Sequence, residues 1–193
     1  MWETVAKFGR KLVQGGLTHA HFGNISVRNP EGLLITRRGS MLDEIDESMT
    51  VQCSLDREDS SDSAASSELI VHRRIYLQTS AGAIIHAHSP YAVALSMLSR
   101  ENCLQPRDEE SKLSLGVIPL VNGVTGSEEL AANLAEALQS RKAAIARGHG
   151  TFAVGSSLEE AYINICTVEY SCQVHYLFEI QTSILSLGDK RMI

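Results

Sequence analysis

No apolar run in the chain approaches the roughly 20 residues that a membrane-spanning helix needs. The opening MWETVAKFGRKL carries charges where a signal peptide needs its apolar stretch. Both absences predict a protein that is neither embedded in a membrane nor exported. Cysteine is scarce: Cys53, Cys103, Cys166 and Cys172 form no C-x-x-C pair and no framework spacing. A chain of 193 residues buries enough apolar surface to fold without disulfides, so a reducing cytoplasm is the expected setting. Basic charge is in deficit, with 17 Lys and Arg against 23 Asp and Glu for a net charge of -6. That balance argues against nucleic acid or an anionic membrane as partner, while a local basic cluster can still hold a phosphorylated metabolite. No internal repeat or linker divides the chain, and residues 1–193 are expected to form a single domain.

What is present alternates between helical and extended patterns. TVAKFGRKLVQ has amphipathic spacing and is followed by Gly15-Gly16, a helix stop. NISVRN and GLLITR flank Asn29-Pro30-Glu31-Gly32 as a β-hairpin, and MTVQCSL reads as a further strand. The acidic, serine-rich DREDSSDSAASS is a solvated loop that ends in Ser66 and Ser67, N-cap types for the helical run ELIVHRRIYLQ. AGAIIHAH is a buried strand, and Ser89-Pro90 opens a helix over YAVALSML. GVIPLV is a strand and SEELAANLAEALQS a helix. AAIAR and TFAVG are strands around Gly148-His149-Gly150, and a long final helix leaves a short tail, SLGDKRMI, suited to covering a site or to disorder. The expected fold is α/β: three layers, α/β/α, around a central mixed, mainly antiparallel sheet.

Seven histidines include two identical tripeptides, His19-Ala20-His21 and His86-Ala87-His88. The second falls on a strand, where residues i and i+2 share a face, so both rings can point at one ion. The first falls in a loop and lacks that support. His149, between two glycines at a strand junction, is the best third ligand. Spacing alone leaves two readings equally open, a metal centre or a turn histidine beside a pair of hydrogen-bonded histidines at a strand end.

The ordered set FGNISVR, LLITRRGSML, SSELIVHRRIY, AIIHAHSPYAVALS, GSEELAANLAEAL and IARGHGTFAVGSSLEEAY resembles the class II aldolase and adducin-head superfamily over nearly the whole chain. The resemblance implies a Zn2+ ion, one per subunit, on His86, His88 and His149, with Glu68 of the S-S-E motif as acid/base. It implies a phosphate cradle of Asn24, Gly39, Ser66 and Ser67. It implies a homotetramer with active sites at subunit interfaces, and a small-molecule substrate of the phosphorylated-sugar or related hydroxycarbonyl type. Zinc would polarise a ketose carbonyl and hydroxyl, Glu68 would move a proton, and aldol cleavage would pass through a metal-stabilised enediolate without a Schiff-base lysine.

Two departures stand against that pattern. Where the family has a small hydroxyl residue before the cradle glycine, Arg38 stands here beside Arg37, suited either to gripping an anion bidentately or to solvent. Where the fuculose-phosphate aldolases carry a proton-donating tyrosine, PLVNGVTGSEEL has none, and Asn122 stands in its place. Asp108-Glu109-Glu110 is a candidate alternative acid but reads more simply as a solvated face. His72 and His175 read as helix-packing or surface residues, and Tyr91 as a capping or packing residue near the metal strand. Within the superfamily the competing activities are a sugar-phosphate 4-epimerase, whose base resembles aspartate rather than Glu68, and a metal-dependent dehydratase or decarboxylase. The alternative of a different functional class is a non-catalytic, adducin-like interaction module, which would keep the fold without the three histidines.

Overall fold

A computed structural model describes residues 1–189. Helix α1 (Trp2–Gln14) buries Val5, Ala6, Phe8, Gly9 and Leu12, an i, i+3, i+4, i+7 stripe, and Gly16 takes φ 68° just past its end. Strands β1 (Asn24–Asn29) and β2 (Gly32–Thr36) form the expected hairpin, closed by the pair Asn29 and Gly32 around Pro30-Glu31. Gly32 has φ 131°, and a Cβ there would lie 2.2 Å from the Cys53 carbonyl oxygen, so no other residue fits this turn. Strand β3 (Thr50–Cys53) pairs antiparallel with β2.

Helix α2 (Leu69–Gln78) follows the acidic loop and leads to β4 (Ala83–Ala87), all five of whose residues are buried. Then come α3 (Pro90–Leu98), β5 (Cys103–Leu104), α4 (Glu109–Leu115), β6 (Ile118–Val121), α5 (Glu128–Leu138), β7 (Ala143–Ala146), β8 (Gly150–Gly155) and α6 (Leu158–Asp189). The eight strands form one sheet in the order β3-β2-β1-β4-β8-β7-β6-β5. Every pair is antiparallel except β6 with β7, as the expected mixed sheet requires.

Two apolar clusters cover the two faces of this sheet. One packs Ile85, Ala87, Ile145 and Ala153 under α1, α3, α4 and α6. The other packs Leu33, Ile84, Ala144 and Phe152 under α2 and α5. Neighbouring residues of β4 thus serve opposite cores, which explains why a central strand reads as a continuous apolar run rather than an alternating one.

Two local expectations are corrected, and a third, the solvated Asp108-Glu109-Glu110 face, holds for the exposed Glu109 and Glu110 while Asp108 caps a helix. Asp108-Glu109-Glu110 is the start of α4, where the Asp108 carboxylate accepts from the Ser111 amide at 2.8 Å, a cap hidden by the helix's shortness. Ser89 is buried but does not cap α3; the amides of Tyr91 and Ala92 donate instead to the Glu169 carboxylate of α6, at 2.9 and 3.0 Å. Helix α6 runs to Asp189, so Ser186 to Asp189 of the expected tail are helical, while residues 190–193 lie outside the described residues. Among the described residues no helix is long and apolar enough to cross a membrane.

Phe152 is fully buried at the centre of the sheet, among the largest side chains of the α2/α5 core. We expect Phe152→Ala to lower the unfolding free energy by about 3–5 kcal/mol, read from urea denaturation. A loss below about 1 kcal/mol would mean that the core collapses around the gap.

Candidate active site

The site grows out of β4. His86 lies opposite Asn24 of β1 on one side and opposite Phe152 of β8 on the other. It points to the α2/α5 face with Ile84, and His88, two residues on, follows the same direction past the strand end. His149 stands in the turn from β7 to β8, between Gly148 with φ 66° and Gly150. A Cβ on Gly150 would fall 2.6 Å from the Ala87 carbonyl oxygen and 2.8 Å from His86 Cε1, so glycine is what lets this turn close on the ring. The three imidazole centroids form a near-equilateral triangle of 4.9, 4.7 and 4.8 Å. Their ligand atoms lie within 4.8 Å of one another, a group able to hold a metal ion.

The donor chemistry fits a cation. His86 Nδ1 lies 3.1 Å from the Thr151 carbonyl oxygen. A carbonyl only accepts, so Nδ1 carries the proton and Nε2 presents its lone pair to the cavity. Burial, and after it the neighbouring His149 and His88, holds the His86 pKa well below the usual imidazole value. Burial and then His88 lower His149 to about 4, and burial lowers His88. Neutral rings with free lone pairs are what a divalent ion takes as ligands. Buried His86 Nε2, His149 Nδ1 and Glu68 Oε1 have no hydrogen-bond partner, so three polar atoms converge with nothing in the protein to satisfy them.

Glu68 immediately precedes α2, with no cap bond from its side chain, and its carboxylate turns into the site instead. Oε2 lies 3.1 Å from His86 Nε2 and Oε1 3.8 Å from His149 Nδ1. With two acceptors facing each other these approaches are not hydrogen bonds, and only a proton or a cation between them relieves the repulsion. Burial pushes the Glu68 carboxyl up to about 7, against the opposing pull of the Asn24 amide, which donates to Oε2 at 3.2 Å. Beneath this pair, Ser26 Oγ lies 2.7 Å from His72 Nδ1 and 2.8 Å from the Tyr76 hydroxyl, all three groups buried. Asn24 and Ser26 are i and i+2 on β1; Glu68, His72 and Tyr76 are i, i+4 and i+8 along α2. This polar ladder fixes the register of the helix against the strand. His72 is therefore a buried packing residue, its pKa lowered to about 3 by burial, and not a ligand.

The histidine ring and Glu68 form the floor of a cavity of about 270 Å3. Asn24, Arg38, Gly39, Ser66 and Ser67 line its walls, so the residues named from sequence meet around one space. Ser66 Oγ accepts from the Glu68 amide at 3.3 Å, Gly39 takes φ 75°, and Arg37 and Arg38 are exposed at the edge. Asn122 lies outside the cavity; its loop contributes Thr125. His21 and Phe22 also line it, and Phe22 stacks on His88 with centroids 5.2 Å apart and 13° between planes. Their position beside the GNIS strand was the only sequence signal for them, because no motif ties this loop to the distant end of β4. Neither lysine nor tyrosine lines the cavity among the described residues.

A family profile described as Class II Aldolase and Adducin N-terminal domain matches residues 3–176. The chain is 31% identical to the L-fuculose phosphate aldolase of Methanococcus maripaludis strain C5, over 88% of this chain and 90% of that one. It is 28% identical to the 3-oxo-tetronate 4-phosphate decarboxylase of Escherichia coli K12, over 91% of this chain and 85% of that one. Among solved structures, L-fuculose-1-phosphate aldolase from Thermus thermophilus superposes with a TM-score of 0.88 at 35% identity, covering 94% of this chain and 95% of that one.

The titrating groups give the metal-free protein a defined pH response. His149 has its usual value of 6.5 lowered to about 4, and His72 to about 3, while His86 is held well below. The unfolded chain thus binds more protons at these sites, and stability rises with pH up to about 6.5. Glu68, raised from 4.5 to about 7, acts oppositely across that window. Three histidines outweigh one carboxyl, so with chelator present we expect stability to fall as pH drops from 6.5 towards 4. Urea midpoints across that range check this, and a steeper profile in Glu68→Gln would isolate the carboxyl's opposing contribution.

Proposed function

Because the chain belongs to the class II aldolase and adducin N-terminal domain family, whose named relatives include enzymes of phosphorylated-sugar chemistry, we propose that it is a divalent-metal-dependent lyase. Its reaction is the reversible aldol cleavage of a small sugar phosphate or related hydroxycarbonyl compound. The observation that carries this reading is the buried Glu68 carboxyl set against His86 and His149, with His88 beside them, at the floor of one cavity. His86, His88 and His149 would hold the ion, Zn2+ being the first choice for three imidazole ligands with a place left for substrate. Such an ion supplies a Lewis acid for the oxygens on which negative charge develops.

The chain's own groups do the rest. Glu68 takes a proton from, or returns one to, the carbon beside the carbonyl. Asn24 holds that carboxyl in place. Ser66, Ser67, the Gly39 turn and Arg38 face the same space with hydroxyls, backbone amides and a guanidinium, a donor set suited to a phosphate. With no lysine among the described residues that line the cavity, a Schiff-base route has no nucleophile among them.

Decarboxylation of a phosphorylated oxo acid is a second reading, favoured by the two adjacent arginines, Arg37 and Arg38, since such a substrate carries two anionic groups to be held. A 4-epimerase or dehydratase would use the same floor, and the glutamate at the base position favours the aldolase over the epimerase. The adducin-like interaction module is disfavoured, since it has no use for three neutral imidazoles converging on a buried carboxyl.

We also propose a homotetramer. The number of copies is what the family resemblance implies, and association itself is supported by the apolar surface of α6, where Phe178, Ile184, Leu185 and Leu187 are 50%, 56%, 69% and 61% exposed beside a groove of about 1140 Å3 that holds none of the site residues. Sedimentation should give four times the chain mass; a monomer would overturn this assembly.

A screen of phosphorylated ketoses and oxo acids with added zinc, scored for aldehyde and for carbon dioxide, separates the two lyase readings. We expect Glu68→Gln to keep its zinc and lose about 10²–10⁴-fold in kcat, whereas His86→Ala and His149→Ala lose the zinc itself. Full activity in Glu68→Gln would refute the assigned base, and unchanged zinc content in both histidine variants would refute the ligand set.

A further inference from the structure

The tripeptide His19-Ala20-His21 is left over once the histidine ring is accounted for, and its two rings part company in the fold. His19 is exposed and does not line the cavity, whereas His21 does. His21 packs edge-on against Phe22, with centroids 5.0 Å apart, and Phe22 in turn stacks on His88. His21 therefore stands two ring layers from the proposed metal centre, at the open side of the cavity.

Its loop is held firmly although the ring itself is exposed. The Phe22 amide donates to the His19 carbonyl at 3.0 Å, and the hydroxyl of fully buried Thr18 donates to the Phe22 carbonyl at 2.7 Å. Gly23 abuts the metal strand so closely that a Cβ would fall 2.4 Å from the His86 carbonyl oxygen. Between the two histidines Ala20 has φ 50°, the one described non-glycine residue in the left-handed region. An alanine held there is strained, and such strain concentrates at working sites.

An aldol reaction at this site needs two proton-transfer groups, one for the carbon and one for the departing oxygen. Glu68 serves the carbon. The lone pairs of His86, His88 and His149 would be committed to the ion, and the guanidinium groups of Arg37 and Arg38 offer only hydrogen-bond donors. Serine and threonine hydroxyls are too weakly acidic. Among the described lining residues His21 carries the one imidazole not committed to the metal site, a side chain with both a nitrogen acceptor and an N–H donor to offer a substrate hydroxyl.

We propose that His21 is the second proton-transfer group, acting on the oxygen that becomes the aldehyde; this rests on the aldol reading of the site. In cleavage the neutral imidazole takes the proton of that hydroxyl, and the O–H electron pair forms the new C=O bond. The carbon–carbon bond breaks with its pair passing to the hydroxycarbonyl fragment, whose carbon is protonated by Glu68. One proton is taken and one is given, and solvent exchange resets both groups. Condensation runs the same steps backwards.

The test uses the zinc-loaded full chain with dihydroxyacetone phosphate as probe. Exchange of its hydroxymethyl hydrogen with deuterated solvent needs only the carbon-directed group, whereas condensation with a small hydroxyaldehyde needs both. We expect His21→Gln to keep its zinc content and its exchange rate, with KM unchanged, and to lose about 10²–10⁴-fold in condensation kcat; Glu68→Gln should lose both reactions. Wild-type condensation in His21→Gln would overturn the inference. So would parallel loss of exchange and condensation, which would mark a structural role. A wild type that exchanges but does not condense would overturn the inference while sparing Glu68. One that does neither would overturn the aldol reading together with it.

Discussion

Everything at the site depends on how β4 is paired. Its antiparallel ladders to β1 and β8 put His86 beside Asn24 on one side and Phe152 on the other. Asn24 reaches across to Glu68, and Phe152 stacks on the His86 ring at 4.0 Å. A slip of one residue in either ladder would turn His86 to the opposite core and leave Glu68 without its amide partner. The two buried apolar faces forbid that slip, because Ile84 and Ile85 would have to exchange cores. Hydrophobic burial thus sets the register, and the register sets the chemistry.

Burial also sets the protonation states. Four imidazoles around the floor and core are held neutral and one carboxyl is held near neutrality, chiefly through loss of water rather than through charge pairing. The arrangement destabilises the empty site, since lone pairs face a carboxylate with no donor between them. The polar ladder from Ser26 to His72 and Tyr76 holds α2 in register despite that repulsion. A bound cation would relieve the same repulsion, coupling metal binding to stability.

Much of this was legible in the residues, and the reasons differ by element. The hairpin could be read because Asn-Pro-Glu-Gly sits between β-branched runs, and the helices because their apolar spacing is periodic. The Asp108 cap and the two-residue β5 were not legible: a helix of seven residues and a strand of two carry too few positions to show a period. Ser89 misled because a proline at the first helical position makes the preceding serine look like a cap, while the group that caps α3 comes from Glu169 on the final helix. His21 could be read only as a loop residue near the GNIS strand, suited to a substrate contact or a local role, since nothing in its own loop encodes its distance to His88.

By itself the sequence determined the layered α/β class, the pairing of His86 and His88 on one strand face, and the order of motifs that resembles the family. These follow from local periodicity, which depends only on neighbours along the chain. Tertiary structure alone decided how closely the three rings approach one another and Glu68, that His21 and Phe22 join the same cavity, and that Asn122 is outside it. Those are long-range facts: they depend on which strands become neighbours in the sheet, and that is chosen by the packing of two cores rather than by any one segment.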